Sequence, residues 1–190
     1  MGSRDAPNIF LRKPTKRFDC SKGKSFLSKP FFQVRHGSFD IKAVSVRDAS
    51  YFVERDFEVS SINNGETRNV KHLQFLDWPN YGVPDQVEPI SKFVQHCHKT
   101  AMEIGSANPE LVVHCSGGIG RSGTFLAAYG AYDHYLSIGE GDANLAKASS
   151  LDLLPIVTTM RHQRHPWMVE GIHQYIMAYE ISLFLLSMLK

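Results

Sequence analysis

The segment His114-Cys-Ser-Gly-Gly-Ile-Gly-Arg-Ser122 constrains this chain more tightly than any other. It follows the apolar run Leu111-Val112-Val113 and leads into a helical pattern, so a buried strand has to turn into a helix within a few residues. Gly117, Gly118 and Gly120 let the main chain curl and aim the amides from Ser116 through Ile119 to Gly120 inward at the head of the next helix. Such a ring of N–H groups is a cradle for a phosphate dianion. Cys115 and Arg121 are separated by five residues, three of them glycine, so one sulfur and one guanidinium face the same anion.

Each residue type answers a chemical need. A free cysteine titrates near ~8.5, and a helix N-terminus or nearby cations lower that to roughly 3.5–7.5. Cys115 is thereby expected to attack phosphorus as a thiolate. Arg121 holds two phosphoryl oxygens and keeps holding them as charge spreads in the transition state. Ser122 is placed to give the thiolate a hydrogen bond, and His114 to orient the loop through its ring. A lone cysteine after a strand reads as a small core residue; the arginine at the sixth position, the glycines and the hydroxyl favour the phosphate loop.

From Val113 to Phe125 the chain resembles the cysteine-dependent protein tyrosine phosphatases, whose signature is His-Cys, five residues, Arg, Ser or Thr, Gly. Gly117 stands where that family commonly has alanine, a change a glycine-rich loop tolerates. The resemblance implies catalytic roles for Cys115, Arg121 and Ser122, phosphate binding by Ser116, Gly117, Gly118, Ile119, Gly120 and Arg121, and no metal or other cofactor.

A second match is Phe75-Leu-Asp-Trp-Pro-Asn-Tyr-Gly-Val-Pro84, similar to the family's mobile Trp-Pro-Asp loop. Asn80 occupies the position of the aspartate that, in the family, protonates the departing phenolate. An amide has no proton of suitable acidity, and a phenol of pKa about 10 leaves poorly unassisted. Losing a positioned general acid costs about 10²–10⁴ in rate. Asp77 and Asp85 lie close by in sequence, but loop residues so near seldom aim at one point, and both also read as solvated turn carboxylates.

The third match runs from Met160-Arg-His-Gln-Arg164 through Met168-Val-Glu-Gly-Ile-His-Gln-Tyr175, similar to the family's C-terminal glutamine motif, which positions the water that hydrolyses phosphocysteine. Gln174 fits a substrate-site role. Glu170 replaces a glutamine with a carboxylate, which repels a dianion if it points inward yet can activate water. As a helix-start glutamate it also has an ordinary reading, favoured by the macrodipole.

A chain of 190 residues with 43% hydrophobic content suits one domain. The resemblance spans about residues 30–188, so the expected organisation is a basic segment over 1–30 and a phosphatase-like domain over 31–190. The implied fold is α/β, a mixed central sheet flanked by helices, without the family's first strands or its Lys-Asn-Arg-Tyr segment that sets pocket depth. Selectivity for phosphotyrosine over phosphoserine therefore does not follow. Missing strands also expose a sheet edge, which leaves oligomeric state open.

Alternation around Phe39-Ile41-Ala43, Tyr51-Val53 and Phe57-Val59 predicts half-buried strands. Asn63-Asn64-Gly65 signals a two-residue hairpin into a strand from about Val70 to Leu76. Val87, Ile90, Phe93, Val94, Cys97, Ala101 and Ile104 predict a helix over 87–104, followed by a strand at 111–114. Further helices are expected over 122–137 and 150–163, with Pro155 in a first turn and a loop at Gly139-Glu-Gly-Asp142. The apolar stretch Ile172 to Leu189 is broken by His173, Gln174, Glu180 and two serines, which makes it a core-packing helix and no membrane span.

The first thirty residues hold eight Lys or Arg against two Asp, so the net +2 of the whole chain conceals an acidic remainder. A solvated terminus explains such an arm, and neither nucleic acid nor membrane is implied as partner. Cys20, Cys97 and Cys115 cannot all pair, and a nucleophilic thiol suits the reducing cytoplasm. The histidine pairs at 96/98 and 162/165 lack metal-ligand spacing. The expected activity is phosphotyrosine dephosphorylation through phosphocysteine, impaired by Asn80; the alternatives are a phosphotyrosine-binding pseudophosphatase that traps phosphoproteins, and a remnant with no stable pocket. Phe-Leu-Asp-Trp-Pro with Tyr-Gly-Val-Pro-Asp further resembles the divergent phosphatases of bracoviruses, which would place the protein in a host-cell cytoplasm.

Overall fold

Alternating side chains from Phe39 onward build a meander of three long strands. In the computed structural model, which describes residues 8–10, 33–79, 82–104, 110–139 and 151–189, these are β3 (Phe39–Asp48), β4 (Phe52–Ser61) and β5 (Thr67–Phe75). They pair antiparallel with each other and with β2 (Gln33–His36). Two short strands, β1 (Asn8–Phe10) and β6 (Glu110–Val112), extend the sheet in parallel, giving the order β2-β3-β4-β5-β1-β6. The sheet is therefore mixed, and the chain is an α/β protein.

The sequence divides into two compact units, residues 1–76 with 101–113, and residues 77–100 with 114–190. Within the first, one face of the meander carries a cluster of charged side chains beside the buried Leu73. Lys71 Nζ bridges Glu54 Oε1 at 2.7 Å and Asp56 Oδ1 at 2.8 Å, while Arg47 pairs with Glu54 and Ser45 donates to Asp56. The ladder register sets Arg47 opposite Glu54 and Asp56 opposite Lys71, so opposite charges meet across the strands. On the other face Arg55, opposite His72, is buried, and desolvation lowers its pKa.

Two strand expectations shift. The connection from β4 to β5 is not a two-residue hairpin but spans Ile62 to Glu66, because Asn64 Oδ1 accepts the Glu66 amide at 3.1 Å and Gly65 takes φ +70°. Thus β5 begins at Thr67, three residues early, through polar residues whose pattern carried no strand signal. Nor does the sequence predict β1, three residues long within the basic first thirty.

In the second unit, α1 (Val87–Glu103, whose last turn groups with the first unit) buries Ile90, Phe93, Val94 and Cys97 at the predicted spacing. The Phe93 ring lies 5.9 Å from Phe125 of α2 (Gly120–Gly139). Small residues Ala127 and Ala131 of α2 let α4 (Ile172–Ser187) approach, and Leu153, Val157, Val169 and Ala178 complete a buried cluster. Between them lies α3 (Leu154–Gln163), with Pro155 in its first turn as expected but starting four residues later than predicted. The loop expected after Gly139 lies outside the described residues. Among the described residues no helix is long and apolar enough to cross a membrane.

Candidate active site

After β6 the chain enters a bend over Ser116–Ile119, and α2 begins at Gly120. Gly118 takes φ +69°, a conformation that a residue with a Cβ adopts only under strain, and this turns its amide onto Cys115 Sγ at 3.2 Å. Burial pushes the Cys115 thiol up, but the Ser122 hydroxyl and the amides of Ser122, Gly118 and Ile119 outweigh it and hold the pKa at about 7. That lowering favours the thiolate at neutral pH relative to an ordinary thiol. The Ser122 hydroxyl is buried near the sulfur without completing an aligned hydrogen bond, so its influence is one of proximity. His114 Nδ1 lies 3.0 Å from the Cys115 carbonyl.

Arg121 curls back over the same loop. One terminal nitrogen donates to Ser116 Oγ at 3.1 Å and the other to the Trp78 carbonyl at 3.3 Å. The Trp78 ring in turn donates from Nε1 to the Gly82 carbonyl at 3.0 Å, so Arg121 is tied to one end of a loop whose tryptophan clasps the other. Asn80 and Tyr81, between those ends, lie outside the described residues. Gly117 has open space where a Cβ would point, so an alanine there would meet no clash.

A third segment closes on the loop from the far side. A Cβ on Gly120 would stand 2.8 Å from Gln174 Oε1, 2.9 Å from Gln174 Nε2 and 3.0 Å from Glu170 Oε2. Gln174 is buried and accepts the Glu170 amide at 2.8 Å. Glu170 itself is exposed, yet its carboxylate reaches Gly120. Val169 before it has φ +62°, a strained backbone for a β-branched residue, and its amide nitrogen would lie 2.5 Å from a Cβ on Gly123.

Sequence reasoning anticipated neither that close approach nor the placement of two arginines, one bracing the segment and one beside Gly118. Arg161 donates to the carbonyls of Met168 at 3.0 Å and Val169 at 3.4 Å, and the Arg164 guanidinium would lie 3.4 Å from a Cβ on Gly118. Their only signal was membership of a matched motif. The structure thus gathers Cys115, the loop Ser116, Gly117, Gly118 and Ile119, and the first turn of α2 with Gly120, Arg121 and Ser122, with Gln174 alongside, and describes no position for Asn80. Among the described residues no cluster has the ligands for a metal.

The sequence profile of the protein-tyrosine phosphatase family matches residues 17–184. The chain belongs to that family. The match begins inside the basic first thirty residues, upstream of the span on which the motifs lie. The chain is 31% identical over 168 residues to the rat tyrosine-protein phosphatase non-receptor type 20, covering 88% of this chain and 35% of the relative. It is 32% identical over 170 residues to tyrosine-protein phosphatase Lar of Drosophila melanogaster, covering 89% of this chain and 8% of the relative. Against receptor-type tyrosine-protein phosphatase F of Danio rerio it is 32% identical over 149 residues, 78% of this chain and 7% of the relative. The chain therefore spans about a third of the length of the first of these relatives and under a tenth of the other two.

Proposed function

We propose that the chain dephosphorylates phosphotyrosine on proteins through a phosphocysteine at Cys115, with phenolate departure slowed by Asn80. The observation that carries this reading is the Cys115 thiol, held at about 7 under the Gly118 amide with Arg121 folded over the same loop. In the first step the thiolate attacks phosphorus and the P–O bond to the phenol breaks. Two of the five N–H donors of Arg121 are engaged at Ser116 and Trp78, so the guanidinium stays oriented while the remainder meet phosphoryl oxygens. The amides at the head of α2 stabilise the equatorial charge.

Departure of the phenolate is the weak point. Asn80 offers no acid, so the expected penalty of about 10²–10⁴ falls on phosphotyrosine and spares aryl phosphates with acidic phenols. In this reading the basic N-terminal segment contributes β1 to the sheet of the phosphatase-like domain, which works on phosphoproteins in the reducing cytoplasm. Asn80→Asp is expected to raise phosphotyrosine kcat/KM by about 10²-fold or more and that for p-nitrophenyl phosphate far less. Equal gains on both substrates would overturn the assignment of Asn80 to leaving-group departure. If the unmodified chain binds phosphotyrosine peptide but turns over neither substrate, the phosphotyrosine-binding pseudophosphatase takes its place.

A further inference from the structure

We propose that a second copy of this chain covers the outer face of α4, the two helices pairing antiparallel about a two-fold axis. The helix is apolar on two opposite sides. Inward it buries Met177, Ala178, Ile181 and Leu185, while outward Ile172, Ile176, Tyr179 and Leu183 are exposed, Ile172 to 64%. A helix that is hydrophobic all round is a covered helix, and among the described residues none is long and apolar enough to cross a membrane. The outer face of α4 is therefore a docking surface.

Its pattern fits a copy of itself. The exposed side chains follow one another at intervals of four, three and four residues, the rhythm of a coiled-coil seam. Turned over by a two-fold axis, the seam sets Ile172 on the partner's Leu183 and Ile176 on the partner's Tyr179, so every contact is made twice. Charge obeys the same symmetry. His173 and Glu180 are the only residues of α4 drawn from Asp, Glu, Lys, Arg and His, both are exposed, and each follows a seam residue by one position. In an antiparallel pair those flanking positions face each other, which brings His173 to the partner's Glu180 on both sides of the axis.

Two other stretches of the chain match the face less well. Residues 140–150 offer one large apolar side chain, Leu145, against four on the helix. Residues 11–32 carry seven Lys or Arg, for which the face has a single carboxylate, that of Glu180. A second α4 supplies both the apolar area and the matching charge. A helix of 16 residues is about 24 Å long, so the pair alone buries less than the ~1,200 Å² at which stable specific interfaces begin. The dimer is accordingly a reversible one of micromolar affinity, and it does not depend on the chemistry at Cys115.

Sedimentation velocity of the full chain from ~1 to ~200 μM tests it. The sedimentation coefficient is expected to climb with concentration from that of a monomer toward that of a dimer. Ile176→Glu, at an exposed position, should keep the chain monomeric throughout while its circular dichroism spectrum stays unchanged. His173→Glu sets like charges together and should raise the dimer Kd about 10-fold, and adding Glu180→Arg to the same chain should restore it. A chain that stays monomeric at every concentration overturns the proposal and leaves the face to a different occupant. A dimer that Ile176→Glu does not weaken overturns it too, because the copies then meet elsewhere. Failure of the charge swap to restore affinity overturns the antiparallel pairing.

Discussion

Cys115 and Ser122 show how a single loop sets the reactivity of a sulfur. Burial alone would protonate the thiol, and the opposing N–H and O–H groups bring its pKa to about 7. Alkylation proceeds through the thiolate, so the rate of Cys115 modification by iodoacetamide is expected to rise with pH and level off above about 7. In Ser122→Ala the midpoint should move upward, toward the ordinary ~8.5 of a free thiol. Peptide mapping separates Cys115 from Cys20, and Cys97 is fully buried. An unchanged midpoint in the variant would show that the amides act without the hydroxyl. At this scale Cys115, Arg121 and Gln174 were legible because their chemistry is carried by residue type and short spacing. Arg164 was not, since its closeness to Gly118 depends on how a segment more than forty residues later folds back.

At the scale of elements, the helices were legible because their buried faces recur every three or four residues, as in Ile90, Phe93, Val94 and Cys97 of α1. The segment between α3 and α4 has no such period, and its shape depends on long-range contacts, of which the one at Gly123 leaves least room. Gly123 on α2 leaves room for the Val169 amide; it closes the resembled signature, but its residue type alone does not reveal the long-range contact that requires it. Gly123→Ala would put a methyl group within 2.5 Å of backbone that cannot rotate away. The expected cost is about 1–3 kcal/mol, as for other overpacked sites, despite the better helix propensity of alanine. Urea unfolding of the two chains checks it. A stability equal to or above that of the unmodified chain would mean that the segment shifts freely, and the placement of Glu170 and Gln174 beside Gly120 would lose its structural basis.

For the whole molecule, the sheet is continuous from β2 to β6 only through β1, which pairs with β5 on one side and β6 on the other. Sequence pattern could not reveal it: three residues are too few for alternation, and a basic stretch reads as a solvated arm. What defines the strand is the pair of ladders on its flanks, a long-range property. Because both neighbours are strands, the amide of Ile9 has a ladder carbonyl to meet whichever way it points. Ile9→Pro removes that donor and sets a pyrrolidine ring in the middle of a sheet, where proline is tolerated only at edges. The expected loss is about 1–3 kcal/mol from the ladder carbonyl left unsatisfied, read as a lower urea midpoint by circular dichroism. A proline variant that unfolds at the same urea concentration as the unmodified chain would show that β1 contributes nothing to holding β5 and β6 in one sheet, and the domain would then have to be regarded as closing without its first strand.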